Sequence, residues 1–469
     1  MEVRHFDVVV LGGGPAGERA AVQAARAGKR AAIVEREHVV GGTCINWGTI
    51  PSKTLRESAI FVLGLTTRKI EGIRCEVGAR ITMADFMHHE RMVVQRELEL
   101  VNRTLDKYRI EVVEGHGRFV DPHTVAVAGK DGRERCRLGA DVIVIATGSS
   151  PNRPADIDFD GRTVFDSGTI LHLDGPMPGS MIVLGAGVIG VEYACIFAAL
   201  GVRVTLVDTR DRLLPYLDRE IVDIFQRAMS GLGVILVSGD HYSRIEKAGG
   251  DRPSVICRLR SGATLTADIL LYCVGRDGNT RDLMLERIGI RPTERGLLEV
   301  NRNYQTVHPH IYAVGDVIGY PALASTSAEQ GRQAIRHAFG IPGPQGKTEL
   351  LPFAVYTIPE ISYIGPSEEE LARAGVQYVI GRGRYAMNPR GQILEDTDGM
   401  LKLLFDAGSL RLRAAHVIGT NASELVHIGQ AFLRSSADAW QIAETLYNYP
   451  TLSDLYRHAA LEAIGNQRK

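Results

Sequence analysis

The chain contains VVVLGGGPAG at residues 8–17 and MIVLGAGVIG at residues 181–190, and its fold class can be predicted from these two segments. Each is an apolar run of strand length followed by closely spaced glycines. Alanine-rich segments come next, and they predict helices over residues 17–28 and 190–201. A single group of glycines often marks only a tight turn, but two groups in the same context indicate one unit built twice.

An acidic residue ends the next predicted strand at the same distance in both copies. Glu35 stands 23 positions after Gly12, and Asp208 stands 23 positions after Gly185. Glycines let the backbone approach a pyrophosphate, the helix N-terminus attracts its charge, and the acid accepts hydrogen bonds from ribose hydroxyls. We therefore predict two dinucleotide sites with electrons passing between them, built from Gly12, Gly14, Gly17 and Glu35 and from Gly185, Gly187, Gly190 and Asp208.

Composition narrows the functional classes. The 469 residues suffice for about two to four domains, and a formal net charge of −1 predicts neither a nucleic-acid partner nor a polybasic membrane patch. The first strand begins near Phe6, which leaves no room for a secretory signal, and no apolar run approaches the roughly 20 residues that cross a bilayer. We expect a cytoplasmic protein without a disulfide framework, because its cysteines are scattered: Cys44, Cys75, Cys136, Cys195, Cys257 and Cys273.

The order of predicted elements gives the domain organisation. A strand at residues 311–316, ending in Asp316, and a helix over Ala322–Phe339 return the chain to its first unit. The expected fold is α/β, with two dinucleotide-binding Rossmann-like domains and a C-terminal α+β dimerisation domain. The predicted limits are 1–151 with 277–348 for the first domain, 152–276 for the second and 349–469 for the third.

Other elements follow from periodicity. Apolar residues recur at intervals of three and four between Met83 and Tyr108, which predicts a long helix. Short buried strands that end in glycine turns are predicted at residues 142–148 and 270–276. Alternating runs at residues 401–405 and 412–418 predict strands of the third region, which has no nucleotide motif and which we assign to packing or dimerisation.

The segment GGTCINWGTIPSK at residues 41–53 makes a family resemblance specific. It resembles the redox-active segment of the pyridine nucleotide–disulfide oxidoreductases, flavoproteins that include dihydrolipoamide dehydrogenase and glutathione reductase. Those enzymes have two cysteines separated by four residues, whereas this chain has Cys44 followed by Thr49. The resemblance covers essentially the whole chain and extends to Ala146-Thr147-Gly148, Glu192, Val274-Gly275-Arg276 and Ala313-Val314-Gly315-Asp316.

A second departure from that family lies near the C-terminus. The disulfide enzymes have a histidine before a proline there, which serves the thiols as acid and base from the partner subunit. This chain has Tyr449 before Pro450. Loss of both the second thiol and its base resembles one branch of the family, the soluble pyridine nucleotide transhydrogenases. Trp47–Lys53, Asn448–Thr451, Tyr193, Gly319-Tyr320-Pro321 and Tyr356–Glu360 strengthen that likeness.

The resemblance implies a role for each site residue. FAD would bind at the first fingerprint, with Asp316 on the ribityl or pyrophosphate side and the start of the helix near Ala324 directed at a flavin carbonyl. Lys53 would lie near flavin N5 and N1, where a cation stabilises the reduced ring. Glu192 would pair with Lys53 and border the nicotinamide. Further predicted cofactor-binding residues are Thr43, Thr147, Gly148 and Gly275.

The second site gives mixed signals about its nucleotide. Asp208 favours a free ribose 2′-hydroxyl and repels a 2′-phosphate, whereas Arg210 and Arg212 are suited to binding phosphate. Such a combination suits an enzyme that accepts both NAD(H) and NADP(H). The alternative is that the two arginines form a solvated cluster of charge.

The remaining reactive side chains give weaker signals. We interpret Cys44 as a small apolar residue that serves packing, which is the usual role of a single cysteine. The alternatives are a redox-sensitive thiol and a charge-transfer donor. No spacing of ligands predicts a metal, because the adjacent His88 and His89 do not face one another on a helix. His427 and His458 are candidates for the dimer region.

Taken together, these features predict an FAD-dependent enzyme that transfers hydride between NADPH and NAD, an NAD(P)+ transhydrogenase of the Si-specific type. The predicted catalytic residues are Lys53, Glu192, Thr49, Cys44 and Tyr449. Because both nucleotides would use one site in turn, through flavin N5, we expect ping-pong kinetics, in a homodimer or higher homo-oligomer. The alternatives are an NAD(P)H oxidase or diaphorase, a dihydrolipoamide dehydrogenase-like reductase, and a non-catalytic nucleotide-binding protein.

Overall fold

A computed structural model describes residues 2–67, 82–249, 253–343 and 350–467. The first part of the chain consists, in order, of β1 (Val3–Leu11), α1 (Pro15–Arg26), β2 (Ala31–Glu35), α2 (Gly42–Asn46), α3 (Thr49–Thr67), α4 (Met83–Lys107), β3 (Glu111–Glu114), β4 (His116–Asp121), β5 (Thr124–Ala128), β6 (Glu134–Ile145) and β7 (Ser149–Pro151). Cys75 lies outside the described residues.

The middle part forms the second nucleotide unit. It consists of β8 (Val164–Asp166), β9 (Ser180–Leu184), α5 (Val188–Ala199), β10 (Arg203–Asp208), α6 (Arg219–Gly231), β11 (Ile235–Ser238), β12 (Tyr242–Ala248), β13 (Ser254–Leu259), β14 (Thr264–Ala267), β15 (Ile269–Tyr272) and β16 (Arg276–Gly278). Five of these strands form a parallel sheet in the order β11-β10-β9-β15-β8, and β12, β13 and β14 form a small antiparallel sheet.

The last part begins with β17 (Ile311–Ala313) and α7 (Ala324–Ala338). It continues with β18 (Phe353–Val355), β19 (Ile361–Ile364), α8 (Glu368–Arg373), β20 (Tyr378–Arg384), α9 (Pro389–Ile393), β21 (Met400–Asp406), β22 (Leu412–Ile418), α10 (Ala422–Arg434), α11 (Ala439–Glu444) and α12 (Leu455–Gln467). Strands β18-β19-β22-β21-β20 form an antiparallel sheet, against which α10 and α12 pack.

The first sheet is assembled from both ends of its domain. Its order is β3-β2-β1-β6-β5-β4, and β17 adds to β6 after the whole second unit has intervened. Strands β3, β2, β1, β6 and β17 are parallel, so their carboxyl ends meet at one edge. Gly12 follows β1 at that edge with φ of +103°, and a Cβ atom there would overlap the carbonyl oxygen of Ala146. Only glycine is compatible with this turn.

The predicted fold class is confirmed, but several predicted boundaries are wrong. Both fingerprint helices begin two residues before the prediction, directly after the extended residues Gly14 and Gly187, because the glycine turn itself leads into the helix. They also end before Gly28 and Gly201, whose φ values of +75° and +86° form left-handed turns that terminate a helix. The strands predicted to end in glycine turns within residues 142–148 and 270–276 do so, before Gly148 and Gly275, although β6 already begins at Glu134. The strand predicted over residues 311–316 ends at Ala313.

The division into three domains at residues 151, 276 and 348 stays a prediction, and the last of these limits lies outside the described residues. Every helix within the described ranges is too short or too polar to traverse a lipid bilayer.

Candidate active site

A buried ion pair joins the two nucleotide units. Lys53 in the second turn of α3 extends its Nζ to within 2.7 Å of Oε2 of Glu192 in α5. The backbone N–H of Tyr356 donates to the other oxygen of Glu192 at 2.8 Å, and the Tyr356 ring lies 5.0 Å from Nζ. The glutamate side chain is 4% exposed and the lysine side chain 26%. The carboxylate is therefore fixed, whereas the ammonium keeps an open side toward a ligand.

Cys44 and Thr49 form a thiol–hydroxyl pair at the junction of α2 and α3. Burial raises the pKa of the Cys44 thiol, while a hydrogen bond with Thr49 and the charge of Lys53 oppose that rise. The thiol is thus protonated at neutral pH, since its ordinary pKa already lies near 9. The cysteines in the described ranges are all free thiols.

The first candidate nucleotide site is arranged around Glu35. Its carboxylate accepts from the N–H of Gly13 at 2.7 Å and from the N–H of Glu37 at 3.0 Å. Helix α1 begins after Gly14 without a side-chain cap, so its first amides remain available to an anion. Burial raises the pKa of the Glu35 carboxyl, and these backbone hydrogen bonds lower it in part.

Asp316, three residues after β17 at the carboxyl edge of the first sheet, belongs to a chain of polar contacts. It accepts a hydrogen bond of 2.9 Å from the hydroxyl of Ser149, which in turn accepts one of 2.8 Å from Nε of Arg276. Burial lowers the pKa of Arg276, and the charge of Asp316 opposes this. Ala324 is the first residue of α7, which has no side-chain cap. An anionic group at this end would meet free amides.

Thr147 and Gly148 follow β6 at the same edge. Gly148 has φ of +68°, and the buried Oγ1 of Thr147 has no hydrogen-bond partner within the described part of the chain. Thr43 lies in the first turn of α2, close to Gly48. This buried hydroxyl is available to a polar partner at the carboxyl edge of the sheet.

The second candidate nucleotide site centres on Asp208 at the end of β10. Burial would raise the pKa of its carboxyl, but hydrogen bonds from Arg210 and from the N–H of Ala186 lower it. Gly185 has φ of +97° and lies against the carbonyl of Cys273, two residues before Gly275. Arg212 does not join this group: its Nη2 donates to the carbonyl of Leu217 at 3.0 Å and pairs with a glutamate of α8.

The structure brings together all but one of the predicted catalytic residues. Lys53, Glu192, Cys44 and Thr49 are linked by the contacts above, whereas Tyr449 is 75% exposed. Within the described part of the chain, no hydrogen bond joins Tyr449 to the other four residues.

Three residues that contact this site escaped prediction as site residues: Tyr356, Ser149 and Arg276. Each acts across a long separation in sequence, such as the 164 positions between Tyr356 and Glu192. Arg276 directly follows Gly275, a predicted cofactor-binding residue, and this position in the sequence could have identified it. The position of Tyr356 beneath Lys53 depends on the docking of the C-terminal sheet, for which the sequence offers no local pattern.

The histidines considered in the sequence lie on three separate helices of the described structure. Residues 2–67, 82–249, 253–343 and 350–467 contain no group of three or more His, Cys, Asp or Glu side chains able to hold a metal ion. His458 pairs with Asp454 at 3.3 Å within its own helical segment, and His427 contacts Gln430.

Two fingerprint sites joined by a lysine–glutamate pair define an oxidoreductase that handles two dinucleotides. Comparison with known families agrees: residues 6–331 match the model described as pyridine nucleotide-disulphide oxidoreductase, and residues 351–460 match the dimerisation domain of the same group. The chain belongs to the pyridine nucleotide-disulphide oxidoreductase family.

Relatives and solved structures extend over nearly the whole chain. The chain is 43% identical to the soluble pyridine nucleotide transhydrogenase of Mycobacterium tuberculosis, covering 99% of this chain and 98% of the relative. It is 42% identical to that of Vibrio parahaemolyticus, with 98% of each covered. Among solved structures, LpdA from Mycobacterium tuberculosis superposes with a TM-score of 0.89 at 27% identity, over 98% of this chain and 99% of LpdA. The HOCl-induced flavoprotein disulfide reductase RclA from Escherichia coli gives 0.86 at 27% identity, over 97% and 99%.

Proposed function

We propose that this chain is an FAD-dependent transhydrogenase that moves hydride between NADPH and NAD, of the Si-specific type. The observation that supports it best is the Lys53–Glu192 pair, which connects the segment after the first fingerprint with the helix of the second. Beside this pair, Cys44 meets the hydroxyl of Thr49 rather than a second thiol. The names of relatives that are 42–43% identical over almost the full length add to this support.

The residues around the first fingerprint suit FAD. A Cβ atom at Gly42 would lie 2.8 Å from the Cα of Gly14, so these two backbone segments can approach each other this closely only with glycine at position 42. The unpaired hydroxyl of Thr147 and the open oxygens of Glu35 offer polar partners. We assign the adenosine half to Gly12, Gly14, Gly17 and Glu35, and the remainder to Thr43, Lys53, Thr147, Gly148, Asp316 and Ala324. When bound, FAD supplies a ring that accepts hydride from one dinucleotide and returns it to another.

The chain's own residues then have separate tasks. Lys53 presents a positive charge where negative charge develops, and Glu192 fixes its position. Burial keeps the Cys44 thiol protonated, and Thr49 stands where a second thiol would be needed, which keeps sulfur chemistry out of the reaction. Asp208 and Arg210 receive the adenosine ribose of NAD or NADP at the second fingerprint, together with Gly185, Gly187, Gly190 and Gly275.

We also propose a cytoplasmic homodimer. The match to a dimerisation domain over residues 351–460 supports it. So do large apolar side chains exposed on the same region of a single chain, namely Met387, Ile393, Leu446, Tyr449 and Leu461. In such a dimer Tyr449 would approach the site of a second copy of this chain.

The decisive experiment is anaerobic mixing of the FAD-loaded enzyme with NADPH and the thionicotinamide analogue of NAD. We expect rapid reduction of the analogue and parallel lines in double-reciprocal plots, as a shared site requires. Failure to reduce the analogue beside rapid turnover of oxygen or quinone would instead identify an oxidase or diaphorase. Turnover of lipoamide would identify a disulfide reductase. A preparation that neither contains nor regains FAD would reject every flavin-dependent alternative.

A further inference from the structure

The carboxylate of Asp208 is saturated by its own protein. Its Oδ2 accepts from the N–H of Ala186 at 2.5 Å and from Nη2 of Arg210 at 2.8 Å. Its Oδ1 accepts from the backbone N–H and from Nε of Arg210, both at 2.8 Å. The guanidinium therefore grips the carboxylate through both oxygens. A ribose hydroxyl that is to reach Asp208 must compete with that grip.

The equivalent acid of the first fingerprint shows the contrast. Glu35 accepts only two backbone hydrogen bonds in the described structure, one on each oxygen, and no arginine lies on it. The neighbouring Arg36 pairs with Glu37 instead, at 3.3 Å. The first acid is thus open to a ribose, whereas the second is covered by an arginine two positions along the chain. The two fingerprint units therefore differ in whether their acidic residue is accessible to a ribose hydroxyl.

The side chain of Arg210 hydrogen-bonds only to Asp208 among the described residues, whereas the rest of its loop is tied to other elements. The far end of the loop is anchored, because Arg212 contacts Glu369 at 3.3 Å and the N–H of Arg219 donates to the same glutamate at 3.1 Å. Asp218 pairs with the buried Lys402 at 2.9 Å. The side chain of Arg210, 43% exposed, has no such contact with another element within the described part of the chain. Rotation of this side chain exposes Asp208 without displacing the loop.

We propose that Arg210 is a nucleotide selector that competes with the ligand for Asp208. To admit NADP(H), the guanidinium leaves the carboxylate and binds the 2′-phosphate. To admit NAD(H), it yields the carboxylate to the 2′-hydroxyl. Both ligands displace the same ion pair, so neither gains a large advantage, as an enzyme that alternates between them requires. The benefit of such a selector rests on the proposed transhydrogenase function, whereas the competition for Asp208 is a property of nucleotide binding alone.

The test uses adenosine fragments, which bind without hydride transfer. Calorimetric titration of the FAD-loaded enzyme with 2′,5′-ADP and with 5′-AMP measures the two recognition modes separately. In Arg210→Ala we expect 2′,5′-ADP to bind about 10- to 100-fold more weakly, the range for loss of a charge-assisted bidentate contact. We expect 5′-AMP to bind about two- to five-fold more tightly, because a half-exposed ion pair no longer opposes it.

Two further variants test the same competition. Asp208→Asn releases the guanidinium, so 2′,5′-ADP should bind more tightly and 5′-AMP more weakly. Arg413→Ala is the matched control: Arg413 is 50% exposed and pairs with Asp406 at 2.8 Å in the C-terminal sheet, so both affinities should stay unchanged.

Opposite shifts of the two fragments in Arg210→Ala support the selector. Weaker binding of 2′,5′-ADP with unchanged 5′-AMP would reduce Arg210 to a phosphate ligand and overturn the competition. Two unchanged affinities would make it a solvated charge and overturn the proposal entirely. Because the fragments carry no nicotinamide, these outcomes hold whether the enzyme passes electrons to NAD, oxygen or a disulfide.

Discussion

The Lys53–Glu192 pair yields a prediction that links stability with function. We expect Lys53→Met to lower the free energy of unfolding by more than Glu192→Gln does, because methionine leaves a buried carboxylate without its cation. Glutamine removes the charge but keeps the acceptor for the N–H of Tyr356. The double variant should recover much of the loss, since neither charge remains.

The structure sets the size of the coupling. At a separation of 2.7 Å and an effective dielectric constant of 20, two unit charges attract by about 6 kcal/mol before desolvation is counted. Exposed pairs retain about 0–1 kcal/mol of this attraction, and breaking buried pairs costs about 3–5 kcal/mol. With Glu192 buried and Lys53 partly open, we expect a coupling of about 2 kcal/mol.

The assay is denaturant unfolding of four FAD-loaded proteins at one protein concentration: the unmodified chain, the two single variants and the double variant. A second double-mutant cycle, at Lys247 and Asp158, serves as an exposed control. That pair is also short, at 2.6 Å, but its aspartate is exposed. A Lys53–Glu192 coupling no larger than the control's would refute the reasoning. In the same samples, Lys53→Met should slow bleaching of the flavin absorbance by NADPH about 100-fold while FAD stays bound; an unchanged rate would reject the assigned role of Lys53.

Three further outcomes are expected. Lys402→Met should lower the free energy of unfolding by about 3–5 kcal/mol, because it strands the buried Asp218, and Asp218→Asn should restore part of this loss in denaturant titrations. Burial lowers the pKa of His416, so the unfolded chain takes up a proton at this residue before the folded chain does as the pH falls below about 6.5. The free energy of unfolding should therefore decrease as the pH falls through this range. His416→Gln should reduce the slope of that free energy against pH, between pH 7.5 and 5.5, by at most about 1.4 kcal/mol per pH unit. Gly12→Ala should release FAD on gel filtration and cost about 1–3 kcal/mol, since its side chain would meet the carbonyl of Ala146.

The nucleotide units could be predicted because their chemistry is local. The turn at Gly12, the start of α1 and the acid at Glu35 lie within 24 residues of chain. The same holds for the second copy. Helix ends were less predictable, because the residue that terminates a helix, such as Gly28, also fits the helical pattern before it.

Contacts made by docking of one region on another could not be predicted. Lys402 stands in the apolar strand β21, where the sequence pattern indicates only a strand. Its acidic partner Asp218 is 184 positions away and completely buried. Likewise, Arg212 looks like a companion of Arg210 in sequence, yet it pairs with Glu369, 157 positions away. The charge of a residue does not identify its ion-pair partner when the partner is distant in sequence and is brought close only by tertiary packing.

The late return of β17 to the first sheet has a consequence for synthesis on the ribosome. Strand β6 ends at Ile145, and the strand that covers it starts at Ile311. At about 5–20 residues per second, translation leaves this sheet edge bare for roughly ten to thirty seconds. The parallel edge that carries Asp316 and the start of α7 is therefore completed only after the whole second unit has been synthesised.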